Sequence, residues 1–327
     1  MKPKSVFPLF MVLLLFWNAP AMAQFPPPTG VEGSTAIKAD SSIFVDWASA
    51  VEIQRGWMNI ADTAIGVASY GVAEDALDAA NNAAVSLGDK GQITCYFDVP
   101  LANGLGWDFA VFENSFDDAF LELAFVEVSS NGADFVRFPA VSYTSTEEQI
   151  STFGTIDATH INLLAGKYRG GFGVPFDLEV LKSNSKLDVN HVVAVRIVDV
   201  VGCVQTAFAS FDSNGNTIND PWPTPFETGG FDLDAIGVIH NQNNTSINEM
   251  VSALQLNLFP NPANDVFSLS ANIPITQMMV LSTNGQVVWY SSDYFGDEVR
   301  CSDWPPGLYV VRCLVKEVWY NLKMIKQ

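Results

Sequence analysis

Basic side chains are scarce in this chain. It has 16 Lys and Arg against 36 Asp and Glu, a formal charge of −20 over 327 residues. Without the first 23 residues, which hold Lys2 and Lys4 and no acid, the charge is −22. Such a surface repels phosphate, which argues against nucleic acid and anionic membrane as partners. Histidine is also rare: His160, His191 and His240 are the full set. Gly-x-Ser-x-Gly, His-Glu-x-x-His and phosphate-loop patterns are absent, and Lys167 beside Gly166 lacks a phosphate-loop setting. His191 and His240 flank apolar stretches, where hydrogen bonding within the fold is the expected role. Only four cysteines occur and none forms a Cys-x-x-Cys, which argues against a zinc knuckle or a thioredoxin-type site. Beyond the N-terminal region no apolar run is long enough for a transmembrane helix.

What is present begins with an export signal. Lys2 and Lys4 precede the apolar stretch 6–17, and Ala21-Met-Ala23 offers small residues for cleavage, so residues 1–23 read as a signal peptide. Export permits disulfides. Two cysteines fall in each half of the chain, making Cys95–Cys203 and Cys301–Cys313 the expected pairs, with buried free thiols the alternative. The length implies two folded units. Residues 24–34 are a Pro-rich lead-in, 35–240 a first unit, 241–253 a polar linker and 254–327 a second unit. The alanine-rich segment 72–84 favours one short helix. Elsewhere short alternating or wholly apolar runs are separated by Gly and Asn turns. Examples are Ile93, Cys95 and Phe97, then 108–116, then 120–130 with the Asn131-Gly132 turn, then 191–201 and 231–240. The expected fold is all-β, an antiparallel β-sandwich followed by a smaller one.

The second unit carries an ordered set of motifs: Leu258-Phe-Pro-Asn-Pro-Ala-Asn-Asp265, Ser282-Thr-Asn-Gly-Gln-Val-Val288, Pro306-Gly-Leu-Tyr-Val-Val-Arg312 and Lys323-Met-Ile-Lys326. It resembles the C-terminal sorting domain of the type IX secretion system of Bacteroidetes. The resemblance implies an immunoglobulin-like β-sandwich handled by that machinery, passage across the outer membrane, and frequent removal of the domain on export. Trp304-Pro-Pro-Gly307, Cys301 and Cys313 depart from the usual pattern. The first unit resembles bacterial cell-surface proteins that carry Asp-Phe-x-Val-Phe-Glu-Asn and Phe-Asp-Leu-Asp-Ala segments. Its stretch 126–135 is similar to the strand–turn–strand of discoidin-type, galactose-binding-like jelly rolls, which implies a jelly-roll-like sandwich with a binding role.

Oxygen-bearing side chains supply the candidate site. Calcium takes six to eight hard oxygens. Asp212, Asn214, Asn216 and Asp220 alternate around Gly215 in one loop, although the EF-hand's closing Glu is missing and an Asx turn accounts for the same residues. A second set, Asp108, Glu113, Asn114, Glu122, Asp232 and Asp234, is expected on one rim. Asp232 and Asp234 share a side of a strand, so a cation or Arg196 is expected between them. Trp107, Phe116, Trp222 and Phe226 lie in or beside loops and are candidate ligand-binding aromatics, or covers for the end of the core. The expectation is a surface-displayed protein that holds a carbohydrate or other small ligand with structural calcium. The rivals are a hydrolase of surface glycans using paired carboxylates such as Glu113 and Glu122, and a structural, adhesive or nutrient-uptake accessory protein.

Overall fold

The computed structural model describes residues 25–243, 256–282, 286–294, 296–315 and 318–327. The signal segment 1–23, most of the linker 241–253 and the tip of the turn after Ser282 lie outside the described residues.

The first unit is built mainly from two antiparallel sheets, with a two-stranded pair, Val141–Ser142 and Ile161–Asn162, besides. In one the strand order is Ile37–Lys38, Phe172–Phe176, Phe109–Glu113, Asp232–Val238, Asp46–Trp47, with Val85–Ser86 also paired to Asp232–Val238. In the other it is Ala50–Gln54, Gln92–Leu101, Val192–Asp199, Ala124–Ser129, Val136–Arg137. Their inner faces share one core. Phe109, Val111, Val174, Phe176, Leu233, Ile236 and Val238 come from the first sheet, and Ile93, Cys95, Val126, Val128, Val195 and Ile197 from the second. This is the β-sandwich that the alternating pattern predicts.

Phe109–Glu113 and Asp232–Val238 are buried along their whole length. They are central strands, and Phe44 and Trp47 cover Ala110, Phe112 and Ala235 on the outer face. That second covering explains why these two strands read as continuous apolar runs rather than alternating ones. The strand Val192–Asp199 is central in its sheet, but its outer-facing residues are only half-buried.

The helix expected over 72–84 does not form. A single 3-10 turn, Ala73–Ala76, is followed by residues with positive φ at Asp78 and Asn82. The Asp75 carboxylate accepts from the Val72 N–H at 2.8 Å, and the N–H groups of Asn81 and Asn82 donate to Asp234. One local carboxylate and one from a distant strand thus take the backbone donors that alanine propensity would give to a helix.

The C-terminal unit has its own two sheets. One orders Leu256–Phe259, Val266–Ala271 and Val299–Arg300; the other orders Val287–Ser291, Gln277–Ser282, Gly307–Val315 and Val318–Lys326. Its separate core includes Phe267, Leu269, Met278, Val280, Val311, Cys313 and Met324.

The expected disulfides are absent: Cys95, Cys203, Cys301 and Cys313 are all free and buried. Cys95 sits in the sandwich core, whereas Cys203 packs in another cluster with Val201 and Trp222. Cys301 and Cys313 share the C-terminal core as unbridged thiols. Burial pushes the Cys95 thiol up to about 12 and the Cys313 thiol up to about 11, which suppresses thiolate chemistry.

Candidate binding site

The two expected calcium sets are divided by the fold. Asp108 and Glu113 stand at opposite ends of Phe109–Glu113, which places them about 17 Å apart by strand rise. Asp108 is a fully buried acceptor at its own end. It takes hydrogen bonds from the Gly104 N–H at 2.7 Å and the Leu178 N–H at 2.7 Å, and it meets His240 Nδ1 at 2.9 Å. His240 is structural, as its flanking position predicts, and His191 meets the Gln242 side chain.

Asp212 accepts from the N–H groups of Ser142, Asn214 and Asn216 and from the Asn216 side-chain amide, so it holds the loop as an Asx turn. Asp220 leaves that loop and accepts from the Leu123 N–H at 2.7 Å in the interior. Asp232 and Asp234 also part company. The pairing slips between Leu233 and Ala235, a bulge centred on Asp234. Asp232 receives the Ser86 hydroxyl, while Asp234 binds the Asn81 and Asn82 backbone. Arg196 does not stand between them. It belongs to the other sheet and pairs with Glu127, which also holds Arg137 at 2.8 Å.

What the structure does assemble is a cavity of about 280 Å³ lined by Glu113, Asn114, Glu122 and Asp232 together with Phe116, Phe120, Phe153 and Phe226. The phenylalanines form a run of neighbouring rings. Centroids are 6.2 Å apart for Phe116–Phe120, 6.3 Å for Phe120–Phe153 and 6.0 Å for Phe153–Phe226. Phe116 is 90% exposed and Phe153 76%. Each forgoes about 2 kcal/mol of burial by facing water.

Local hydrogen bonds fix these walls. The Ser115 hydroxyl donates to the Phe120 carbonyl, and Asp117 accepts from the N–H groups of Ala119 and Phe120. These backbone donors hold the Asp117 carboxyl below its usual range. The Thr152 hydroxyl donates to the Pro223 carbonyl at 2.7 Å, tying the Phe153 loop to the segment before Phe226. Gly166, with φ +82°, rests on the Glu122 backbone; a Cβ there would meet the Glu122 carbonyl oxygen at 1.8 Å. The close approach therefore requires glycine.

The floor of the cavity continues inward as a ribbon of buried acids. Glu113 is held well above the usual carboxylate range by burial first, then by Glu122 and Asp232. Glu122 is raised by burial, then by Asp232 and Asp199. Asp220 is raised by burial, then by Glu122 and Asp199, and Asp199 by burial, then by Asp89. Asp232, with Arg55 nearby, is pushed up to about 7, mainly by burial. Glu113 Oε2 has no hydrogen-bond partner although the residue is only 2% exposed. Among the described residues no three His, Cys, Asp or Glu side chains converge as metal ligands.

Of the four candidate aromatics, Phe116 and Phe226 reach the cavity. Trp107 is partly exposed at the other end of its strand. Trp222 is a core residue, not a platform. It is 8% exposed, stacks on Phe208 and donates through Nε1 to Asp89 at 3.2 Å. Trp222→Ala is expected to cost about 3 kcal/mol of stability in a denaturant titration; an unchanged midpoint would return Trp222 to the surface. Phe120 and Phe153 escaped the sequence reading. The spacing of Phe116 and Phe120 across an Asp-Asp turn was a visible signal for the first; nothing local marks the second.

A second cavity of about 390 Å³ lies in the C-terminal unit beside Leu269, Ile275 and Tyr294. The Tyr294 hydroxyl is committed to the Leu269 N–H and the Asp297 carbonyl.

No curated protein matches the chain. Among solved structures, a biofilm-associated protein BSP domain aligns at 13% identity with a TM-score of 0.20. The alignment covers 86% of this chain and 52% of that one, so the chain spans about half the length of the structure it matches. Residues 257–327 match the secretion system C-terminal sorting domain, and no described helix is long and apolar enough to cross a membrane. The chain thus carries a type IX C-terminal sorting domain, which indicates export to the cell surface or the extracellular space.

Proposed function

We propose that the exported chain is a binding protein that holds a small ligand in the phenylalanine-walled cavity of its first unit. One observation carries this reading: four phenylalanines, two of them largely exposed, gather over three buried carboxylates. Apolar walls with a few converging polar groups are the usual composition of a ligand site. Thr152, Thr224 and Thr228 add side-chain hydroxyls to the same lining. The signal peptide at 1–23 and the sorting domain together give the route: across the inner membrane first, then outward by the type IX machinery.

The test is a glycan and small-molecule binding screen of the full chain, run with and without calcium. A hit is expected to weaken at least about fivefold in Phe153→Ala, because one wall ring is lost. A hit indifferent to that change would place the ligand elsewhere. Calcium enters as an expected structural support; hits and melting temperature unaltered by its chelation would remove it.

A carboxylate-dependent hydrolase is the second reading, favoured by Glu113 and Glu122 lining one cavity with carboxyls raised by burial. A protonated acid beside a second carboxyl is what glycosidic cleavage uses. The same screen decides it: cleaved glycan, lost in Glu122→Gln, supports hydrolysis, and intact glycan discards it.

A further inference from the structure

We propose that the cavity selects an organic cation, a small molecule carrying an ammonium group, with Glu113 as its anionic anchor and the phenylalanine faces as its walls. This deepens the binding reading above and rests on it.

Charge is the first argument. Glu113, Glu122 and Asp232 line the cavity and no basic residue does. The guanidinium coupled to Asp232, that of Arg55, is committed to the carbonyls of Tyr70, Gly71 and Ser86. It stands beside Asp232 and leaves Glu113 and Glu122 with acids as their charged neighbours, the Ser115 backbone N–H being Glu113's one hydrogen-bonding relief. Behind them lie Asp199 and Asp220, each already accepting backbone N–H groups. Buried acids without a counter-ion hold their protons, and a ligand cation arriving beside them lets one ionise and pairs with it.

The second argument is the unpartnered atom. Glu113 Oε2 is a buried acceptor with no donor, on a residue that lines the cavity. A buried acceptor of this kind costs about 1–3 kcal/mol while unpaired. A donor or positive charge arriving from the cavity supplies the missing partner.

The walls provide the third. Phe116, Phe120, Phe153 and Phe226 carry no hydrogen-bonding group, so they serve a hydroxyl-rich ligand poorly. Their π faces are negative and attract a cation, most strongly where water is displaced. Size separates an organic cation from a bare metal ion. Among the described residues no three acids converge as metal ligands, which argues against a bare metal ion as the occupant. A cavity of about 280 Å³ falls just below the range for drug-sized ligands and suits a compact molecule.

The ammonium can belong to a simple amine or to an amino sugar, and paired probes separate the two. Calorimetric titration of the full chain would use choline against its neutral isostere 3,3-dimethylbutan-1-ol, and glucosamine against glucose. Calcium chloride is the fifth probe. At least one cation is expected to bind about tenfold or more tightly than its neutral partner. Glu113→Gln is expected to erase that preference while leaving the neutral probe unchanged. Phe153→Ala changes an exposed ring and leaves the fold intact, so it covers the case in which Glu113→Gln fails to fold. It is expected to weaken the cation severalfold with no change in melting temperature.

Equal affinity for a cation and its neutral partner would overturn the cation assignment and leave the cavity as a site. Calcium that saturates the cavity and excludes both amines would overturn the organic class. If none of the five probes binds, the proposal fails, and the wider screen decides separately whether the cavity binds anything.

Discussion

Raising the pH from about 5 to about 8 is expected to lower the melting temperature of the unliganded protein by about 10 °C. The groups responsible are Asp89, Glu113, Glu122, Asp199, Asp220 and Asp232, all raised above the usual carboxylate range chiefly by burial. The sign follows from proton counting. A carboxyl raised in the folded state keeps a proton that the unfolded chain has released, so folding is favoured at low pH. That stability is lost as pH climbs from about 4 through the folded pKa. For Asp232 alone, the gap between 3.8 and about 7 corresponds to roughly 4 kcal/mol in all, of which about 2.7 kcal/mol falls between pH 5 and 7. At about 2–4 °C per kcal/mol this gives about 5–11 °C, and the other raised acids add to it. The cations on these acids, Arg55 beside Asp232 and Lys90 beside Asp89, moderate the effect without reversing it.

Two opposing sets act outside the window. Asp117, Asp157 and Asp212 are depressed, so their contribution is present above about pH 4 and is lost below it. Lys167, lowered to about 8 by burial, adds stability only as pH rises beyond that value. Scanning calorimetry at fixed ionic strength is the measurement, with Asp232→Asn expected to flatten the slope. A melting temperature that holds or rises between pH 5 and 8 would show the acids to be ionised and compensated. A bound cation is expected to shrink the slope too, which ties this stability measurement to the binding proposal.

Much of the fold was legible because strand pattern and burial agree. Ile93, Cys95 and Phe97 alternate and point to the core; Phe109–Glu113 and Asp232–Val238 are apolar throughout and are covered on both faces. The helix expected over 72–84 fails because propensity counts alanines, while Asp75 and Asp234 decide where the backbone donors go. The expected disulfide pairs rest on the arithmetic of cysteines per unit, and the alternative of buried free thiols is the one found. Arithmetic cannot see that Cys95 and Cys203 pack in different clusters.

The site was half legible for a similar reason. Acids near strand ends announce a rim, but which end each occupies depends on strand direction. Asp108 and Glu113 are five residues apart in sequence and at opposite poles of one strand. The bulge at Asp234 is invisible to a period-two reading, and it removes Asp234 from the set that Asp232 joins. Glu122 and Asp220 enter one electrostatic ribbon through pairings nearly a hundred residues apart, such as Leu123 N–H to Asp220. Long-range contacts of this kind leave no local pattern. Trp222 shows the converse. A tryptophan framed by prolines looks like a displayed platform, yet its indole N–H finds Asp89 and its ring finds Phe208.

Deleting residues 254–327 is expected to abolish surface display and leave the remaining chain in the periplasm of a host that has the type IX machinery. The deletion should remove the routing signal without disturbing the rest. The C-terminal core runs from Ala263 to Met324, and among the described residues the main sandwich core draws on none beyond Val238. A whole core is therefore taken away rather than part of one, and the truncated chain should keep its melting behaviour and its pH slope. Protease accessibility on intact cells, set against cell fractionation, reads the outcome. A large majority of the full chain should be cleavable from outside, against almost none of the truncated chain. The reciprocal arm attaches residues 254–327 to an unrelated periplasmic cargo, which should then reach the surface. Normal display of the truncated chain would overturn the assignment of routing to 257–327 even though the domain is present. A truncated chain that is degraded rather than retained would point to a stabilising contact from the C-terminal unit. Calorimetry on the purified truncation separates that result from a failure of export.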